Sequence, residues 1–272
     1  SKKVNYICFK NIMAFLNHIF IKNIEELNKS FNAKKPFRYL IYDGFLKSEV
    51  AEEAYNNYPI IDANGKSWDG TTYLDQKNKF TKTRFEKNSI FNKLFDEFNS
   101  DNFTSIISKI TDINDLTGDS ELFGGGLHQS INGAFLNVHV DYNFHPTTKY
   151  HRRCNLIIYL NKNWKDEYNG HLELWDFTKS KKGNLIQRIS PEFNRAVIFE
   201  TNEISYHGHP QPLNTPKDVN RKSLALYYYT KDRPPNEISS EHNTIYKNTT
   251  GTQGKINRFK SGIKAIIERI KN

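Results

Sequence analysis

The sequence predicts a mainly β protein with flanking helices, and three observations carry that reading. From Leu122 onward, six short strand-like runs alternate with turn residues, the rhythm of a β-sandwich or barrel. Ahead of them, apolar residues recur at helical spacing. The chain has 272 residues, 37% hydrophobic and 14% aromatic, enough for one large domain or two small ones and too apolar for general disorder.

Taken in order, residues 1–35 read as an N-terminal helical extension with a stripe of Met13, Leu16, Phe20 and Ile24. Residues 37–46 mix β-branched and aromatic side chains around Gly44, which predicts a strand and a turn. A helix opens at Ser48 and runs to about Tyr58, ahead of Pro59. Two more are expected between Ser89 and Ile113, one carrying Ile90, Leu94 and Phe98, the other Phe103, Ile106, Ile107 and Ile110. The strand runs are 134–140, 156–160, 171–175, 185–189, 196–199 and 224–229. Arg233-Pro234-Pro235 breaks the last of them. Residues 255–270 then predict a basic amphipathic helix, packed on the barrel or on a partner. The expected organisation is an extension (1–35), one domain (36–240) and a tail (241–272).

The charge balance is 39 Lys+Arg against 30 Asp+Glu, a net +9. Such an excess can steer a protein to nucleic acid, an acidic membrane or an anionic small molecule. Here the basic residues are spread along the whole chain, the pattern of a solvated surface, so nucleic acid is not the expected partner. No run of 18 apolar residues occurs, so no transmembrane segment is expected. Cys8 and Cys154 are too few for a disulfide framework or a Cys-rich zinc site, which points to a reducing, cytoplasmic setting.

The chemistry concentrates in two places. His139-Val140-Asp141 puts a histidine and a carboxylate on one face of a strand, able to grip one metal ion from two directions. His207 follows the strand-like 196–199 and can reach the same point from another strand. Two histidines and one carboxylate make a facial triad with open coordination positions, the set of non-haem Fe(II) oxygenases; zinc hydrolysis can use it too. Arg221 heads the apolar run 224–229, and a guanidinium at a barrel mouth calls for a carboxylate. No nearby acidic residue is an obvious protein partner, which favours a bound dicarboxylate. His128, His145, His151, His171 and His209 are alternative ligands by residue type. His145 is expected at the entrance, and His209, followed by Pro210, is expected to leave the barrel.

Residues 127–230 resemble the 2-oxoglutarate- and Fe(II)-dependent dioxygenases, in particular their prolyl-4-hydroxylase-like branch. The segments that carry the resemblance are His139-Val140-Asp141, the run from Arg153-Cys154-Asn155 to Asn163-Trp164, Gly170-His171-Leu172-Glu173-Leu174-Trp175, Pro191-Glu192-Phe193-Asn194-Arg195, and the His207 and Arg221 strands. It extends more loosely over 36–240. The resemblance implies a double-stranded β-helix (a cupin-like jelly roll) of about eight strands at about 122–230, with N-terminal helices packed on one sheet. It implies His139, Asp141 and His207 as iron ligands, Arg221 and Tyr159 on the distal carboxylate of 2-oxoglutarate, and Gln129 and Asn155 as further cosubstrate contacts. Gln129 departs from the branch, which often has Tyr there. The implied cofactors are Fe(II), 2-oxoglutarate and O2, with ascorbate as an auxiliary reductant. The implied reaction is hydroxylation of an unactivated C–H bond with release of succinate and CO2, and Asp141 favours hydroxylation over halogenation. The substrate expected is a prolyl residue of a peptide or protein. The alternatives are a free amino acid or other small metabolite, and, more remotely, a non-catalytic jelly-roll binding module. Residues 68–85 and 142–152 are expected to form the mouth.

Overall fold

The computed structural model describes residues 13–61, 68–73, 75–247 and 249. The predicted helix at 255–270 lies outside them. Two short helices, α1 (His18–Lys22) and α2 (Ile24–Asn32), precede strand β1 (Tyr39–Asp43) and helix α3 (Ser48–Asn56). A hairpin of β2 (Asp69–Tyr73) and β3 (Gln76–Lys82) leads to α4 (Ile90–Phe98) and α5 (Asp101–Thr111). The Ser89 and Ser100 hydroxyls accept hydrogen bonds from the Asn92 and Phe103 amides, so each of these two helices starts on a side-chain cap. The remaining strands are β4 (Gly126–Val140), β5 (His151–Tyr159), β6 (Leu172–Asp176), β7 (Asn184–Ile189), β8 (Arg195–Glu200), β9 (Tyr206–His209), β10 (Arg221–Thr230) and β11 (Ile245–Tyr246).

Eight strands run antiparallel in the order β1-β8-β5-β10-β4-β9-β6-β7, and β2, β3 and β11 add to the far edge of β4. β4 belongs to both halves. Its first residues pair with β10, its last with β9, and the sheet curls over on itself between them into a half-barrel. This is the jelly-roll core the sequence predicts, with strands beyond the expected eight.

Strand alternation divides the side chains. Leu156 and Ile158 of β5, Ile198 of β8, and Leu224, Leu226 and Tyr228 of β10 face the helices and join Phe45, Phe98, Phe103 and Ile107 in the main core. Their neighbours Tyr159, Val197 and Phe199 face the inside, against Leu172 and Leu174 of β6. Met13, Leu16, Phe20 and Phe31 are buried in the same main core as α3–α5, so the described part of the N-terminal segment packs as tightly as the helices that follow it.

Three local expectations need correction. The predicted helix from Ser48 stops at Asn56, and Tyr58 turns inward to donate its hydroxyl to the His128 and Ser223 carbonyls. β4 begins at Gly126, eight residues before the predicted start, because its first half is polar and shows no apolar alternation. The β2–β3 hairpin was not anticipated, for the same reason.

Phe103 is fully buried and its ring meets Phe45, Phe98 and Tyr228, linking helices to sheet. Phe103→Ala should cost about 3–5 kcal/mol of stability in denaturant unfolding. A loss below about 1 kcal/mol would contradict this packing.

Candidate metal and cosubstrate site

His139 lies near the end of β4, Asp141 just beyond it, and His207 on β9, where it is the register partner of His139. One ligand atom from each of the three lies within 4.8 Å of the others. Backbone carbonyls fix both rings. His139 Nδ1 donates to Asn137 O at 2.8 Å and His207 Nδ1 to Ser205 O at 2.9 Å, so each Nε2 is left as a bare lone pair. Both Nε2 atoms point at the Asp141 carboxylate, at 3.5 and 3.6 Å. Glycine permits this approach: a Cβ on Gly208 would stand 2.8 Å from the carbonyl oxygens of Leu136 and Asn137.

Asp141 is secured from behind. Arg152 Nη2 lies 3.0 Å from Oδ2, Asn155 Nδ2 donates to the same oxygen at 2.8 Å, and Arg152 Nε donates to Asn155 Oδ1 at 3.1 Å. The buried Arg152 guanidinium sits over the rings of Tyr227 and Tyr142, 3.6 and 4.5 Å from their centroids. Burial pushes the Asp141 pKa up, but Arg152, then His207 and His139, outweigh it and hold the carboxyl well below the usual range. Burial also pushes His207 down to about 4, against the pull of Asp141. At neutral pH the cluster is therefore an ionised carboxylate beside an unprotonated His207 imidazole. That donor set fits Fe(II) with coordination positions to spare.

The cluster lines a cavity of about 290 Å³, and Arg221 lines the same cavity. Arg221 Nε donates to Gly170 O at 2.7 Å and Nη2 to Tyr159 Oη at 3.0 Å. Tyr159 accepts from the guanidinium, so its own O–H is free to donate, and burial raises its pKa, with Arg221 opposing. Arg221 forms no ion pair with a carboxylate among the described residues. Gly170 has φ +72°, and a Cβ there would lie 2.4 Å from Leu213 Cδ2 and 3.1 Å from Arg221 Cδ, so only glycine can hold the arginine from that side.

The sequence-predicted residues fall out unevenly. His139, Asp141, His207, Arg221 and Asn155 all line this cavity. Tyr159 reaches it through Arg221. Asn155, expected on the cosubstrate, commits its amide to Asp141 and Arg152. Gln129 is misplaced: it is buried but does not line the cavity, and its neighbour His128 does. The expectation for Gln129 comes from the resemblance, which places a cosubstrate contact at this position. Between Leu136 and His139, however, β4 spends three residue steps while β9 spends two, and this bulge inverts which side chains face inward. His209 does not leave the barrel; it lines the cavity. His145 is buried beside Asp119, its Nδ1 accepting from the Thr147 and Thr148 amides, and does not line the cavity. His171 pairs with Asp166 outside the cavity, 2.9 Å away. Residues 68–85 and 142–152 do contribute to the lining, through Gln76, Lys79 and Thr81 and through Tyr142 and Arg152. Sequence reasoning missed Lys79 and Tyr246, whose ring lies 5.3 Å from that of His139.

Residues 125–229 match the model of the 2OG-Fe(II) oxygenase superfamily. A prolyl 3-hydroxylase of Mus musculus is 25% identical over 109 residues, which are 35% of this chain and span only 20% of that protein. Among solved structures, a prolyl hydroxylase from Trichoplax adhaerens, in complex with a hypoxia inducible factor peptide fragment, superposes with a TM-score of 0.52 at 16% identity, over 76% of this chain and 90% of its own. A Pseudomonas putida prolyl-4-hydroxylase gives 0.53 at 15%, over 75% and 98%. One from Phytophthora capsici gives 0.54 at 16%, over 93% and 75%. These similarities show the fold of the prolyl-hydroxylase-like oxygenases, and the superfamily implies Fe(II) and 2-oxoglutarate.

Partners behind a metal ligand typically hold 10–100-fold of metal affinity. Asn155→Ala, which frees Asp141 and strands Arg152, should weaken Mn(II) binding by that factor in a direct titration. Unchanged affinity would detach Asn155 from the cluster.

Proposed function

We propose that this protein is a 2-oxoglutarate- and Fe(II)-dependent dioxygenase that hydroxylates an unactivated C–H bond, with a prolyl residue of a peptide or protein as substrate. One observation carries the reading: a His-Asp-His cluster and a buried arginine that forms no ion pair with a carboxylate among the described residues line one cavity. His139, Asp141 and His207 would hold the metal. Arg221 would take the distal carboxylate of 2-oxoglutarate through its remaining N–H groups, helped by the Tyr159 hydroxyl. Bound iron with 2-oxoglutarate and O2 supplies the oxidation, in which one oxygen atom enters the C–H bond while the cosubstrate leaves as succinate and CO2.

The protein's own work is positional. The two backbone carbonyls hold the imidazoles in the tautomer that offers Nε2. Arg152 and Asn155 keep Asp141 ionised and oriented. Ile157, Leu172 and the ring of Tyr246 contribute apolar walls that limit water around the reacting centre. Support for a prolyl substrate comes from the mouse, Trichoplax and Pseudomonas proteins.

His139→Ala, Asp141→Ala and His207→Ala should each abolish substrate-coupled succinate release while the protein stays folded. The assay presents proline-containing peptides and small metabolites with ascorbate as reductant, and mass spectrometry finds products gaining one oxygen. Oxidised metabolites with untouched peptides would replace the prolyl reading by the small-molecule one.

A charged pair in a desolvated pocket costs about 3–5 kcal/mol to break from one side. Arg221→Ala should therefore lose about two to three and a half decades of 2-oxoglutarate affinity, and Arg221→Lys should fall between it and wild type. Equal affinities for wild type and Arg221→Ala would remove the cosubstrate from this residue.

A further inference from the structure

Lys79 on β3 is the register partner of Ser130 on β4, and Arg221 on β10 is the partner of the same Ser130 from the other side. Residues opposite one another across neighbouring strands project to one face of a sheet. The two cations therefore flank Ser130, with Cα atoms about 10 Å apart, two strand spacings. Both line the cavity. The next row, Thr81, His128 and Ser223, has the same pairing and also lines it, so β3, β4 and β10 form one continuous wall.

Lys79 is half-buried, and its ammonium has no hydrogen-bond or ion-pair partner among the described residues. The charged and titratable groups around it are Arg221, Arg152, Asp141, His128 and His209. Asp141 is already committed to Arg152 and Asn155. Desolvation first, then repulsion from Arg221, push the lysine down to about 8, with Asp141 opposing. His209 adds a buried Nδ1 with no hydrogen-bond partner at the same cavity. Two like charges facing one space, with unspent donors around them, form an arrangement completed by an anion placed between them.

We propose that Lys79 is a second cosubstrate-binding cation, which brackets the distal carboxylate of 2-oxoglutarate from across Ser130 while Arg221 and Tyr159 hold it from the other side. This rests on the assignment of 2-oxoglutarate to Arg221 above. It makes the β2–β3 hairpin part of the cosubstrate pocket and not only a rim for substrate.

The test is calorimetric titration of the full chain loaded with Mn(II), using 2-oxoglutarate and 2-oxopentanoate, which lacks the distal carboxylate. Lys79→Met should weaken 2-oxoglutarate binding about 10–100-fold and leave 2-oxopentanoate within about twofold. Lys79→Arg should restore most of the loss, and Mn(II) affinity should hold throughout. If Lys79→Met misfolds, Lys79→Gln carries the same comparison. Equal losses for both 2-oxo acids would reduce Lys79 to a structural role and overturn the proposal. So would wild-type 2-oxoglutarate affinity in Lys79→Met while Arg221→Met is impaired, which leaves the Arg221 reading standing. Unimpaired binding in Arg221→Met would instead sink that reading and the proposal with it.

Discussion

The site depends on one constraint: β4 must satisfy its backbone hydrogen bonds along both edges over fifteen residues. Four strands meet that demand, β10 and β9 on one edge and β3 and β11 on the other. A straight strand could not serve both halves of a closed-over sheet. The bulge between Leu136 and His139 provides the bend, and it also turns His139 and Asp141 inward where regular alternation from His128 would have turned them out. The placement of the candidate metal ligands is thus a by-product of how the sheet curls.

Much of this was legible in the sequence, and the reasons are specific. His139 and Asp141 sit two apart on a short regular stretch, where parity is reliable. His207, Arg221 and Tyr159 sit on or beside apolar strands whose pattern announces them. The helices of the N-terminal third were visible because their buried stripes are long and apolar. What escaped lies on polar strands or follows a bulge. Gln129 rests on the resemblance alone, at a position where this sequence departs from the branch, and no residue pattern reveals the irregularity that follows it. Lys79 and Tyr246 reach the cavity from a polar hairpin and a two-residue strand, neither of which alternates. His209 was judged from the proline after it, yet β9 keeps it inside until its last residue.

The electrostatics of the cavity are lopsided. Arg152, Arg221 and Lys79 approach it, and Asp141 is the single carboxylate in its lining. Arg152 neutralises that carboxylate, so the remaining positive charge belongs to Arg221 and Lys79, which flank Ser130 on the wall made by β3, β4 and β10. A dianionic ligand entering such a space meets a gradient that orients it before any contact forms: one carboxylate is drawn to the cationic end and the other is left for the metal position.

The pairing of Ile245 and Tyr246 with Val140 and His139 has a consequence for how the molecule comes into being. β1, made early, waits for β8, and β4 waits for β11, more than a hundred residues later. Such long-range pairings are slow to close because loop entropy must be overcome before they form. During synthesis the ligand strand therefore emerges, and folds against β3 and β10, with its last residues uncovered on one edge. The wall of the cavity is finished by nearly the last described residues to leave the ribosome. A chain interrupted after β10 would contain every candidate ligand and still lack the strand that covers His139.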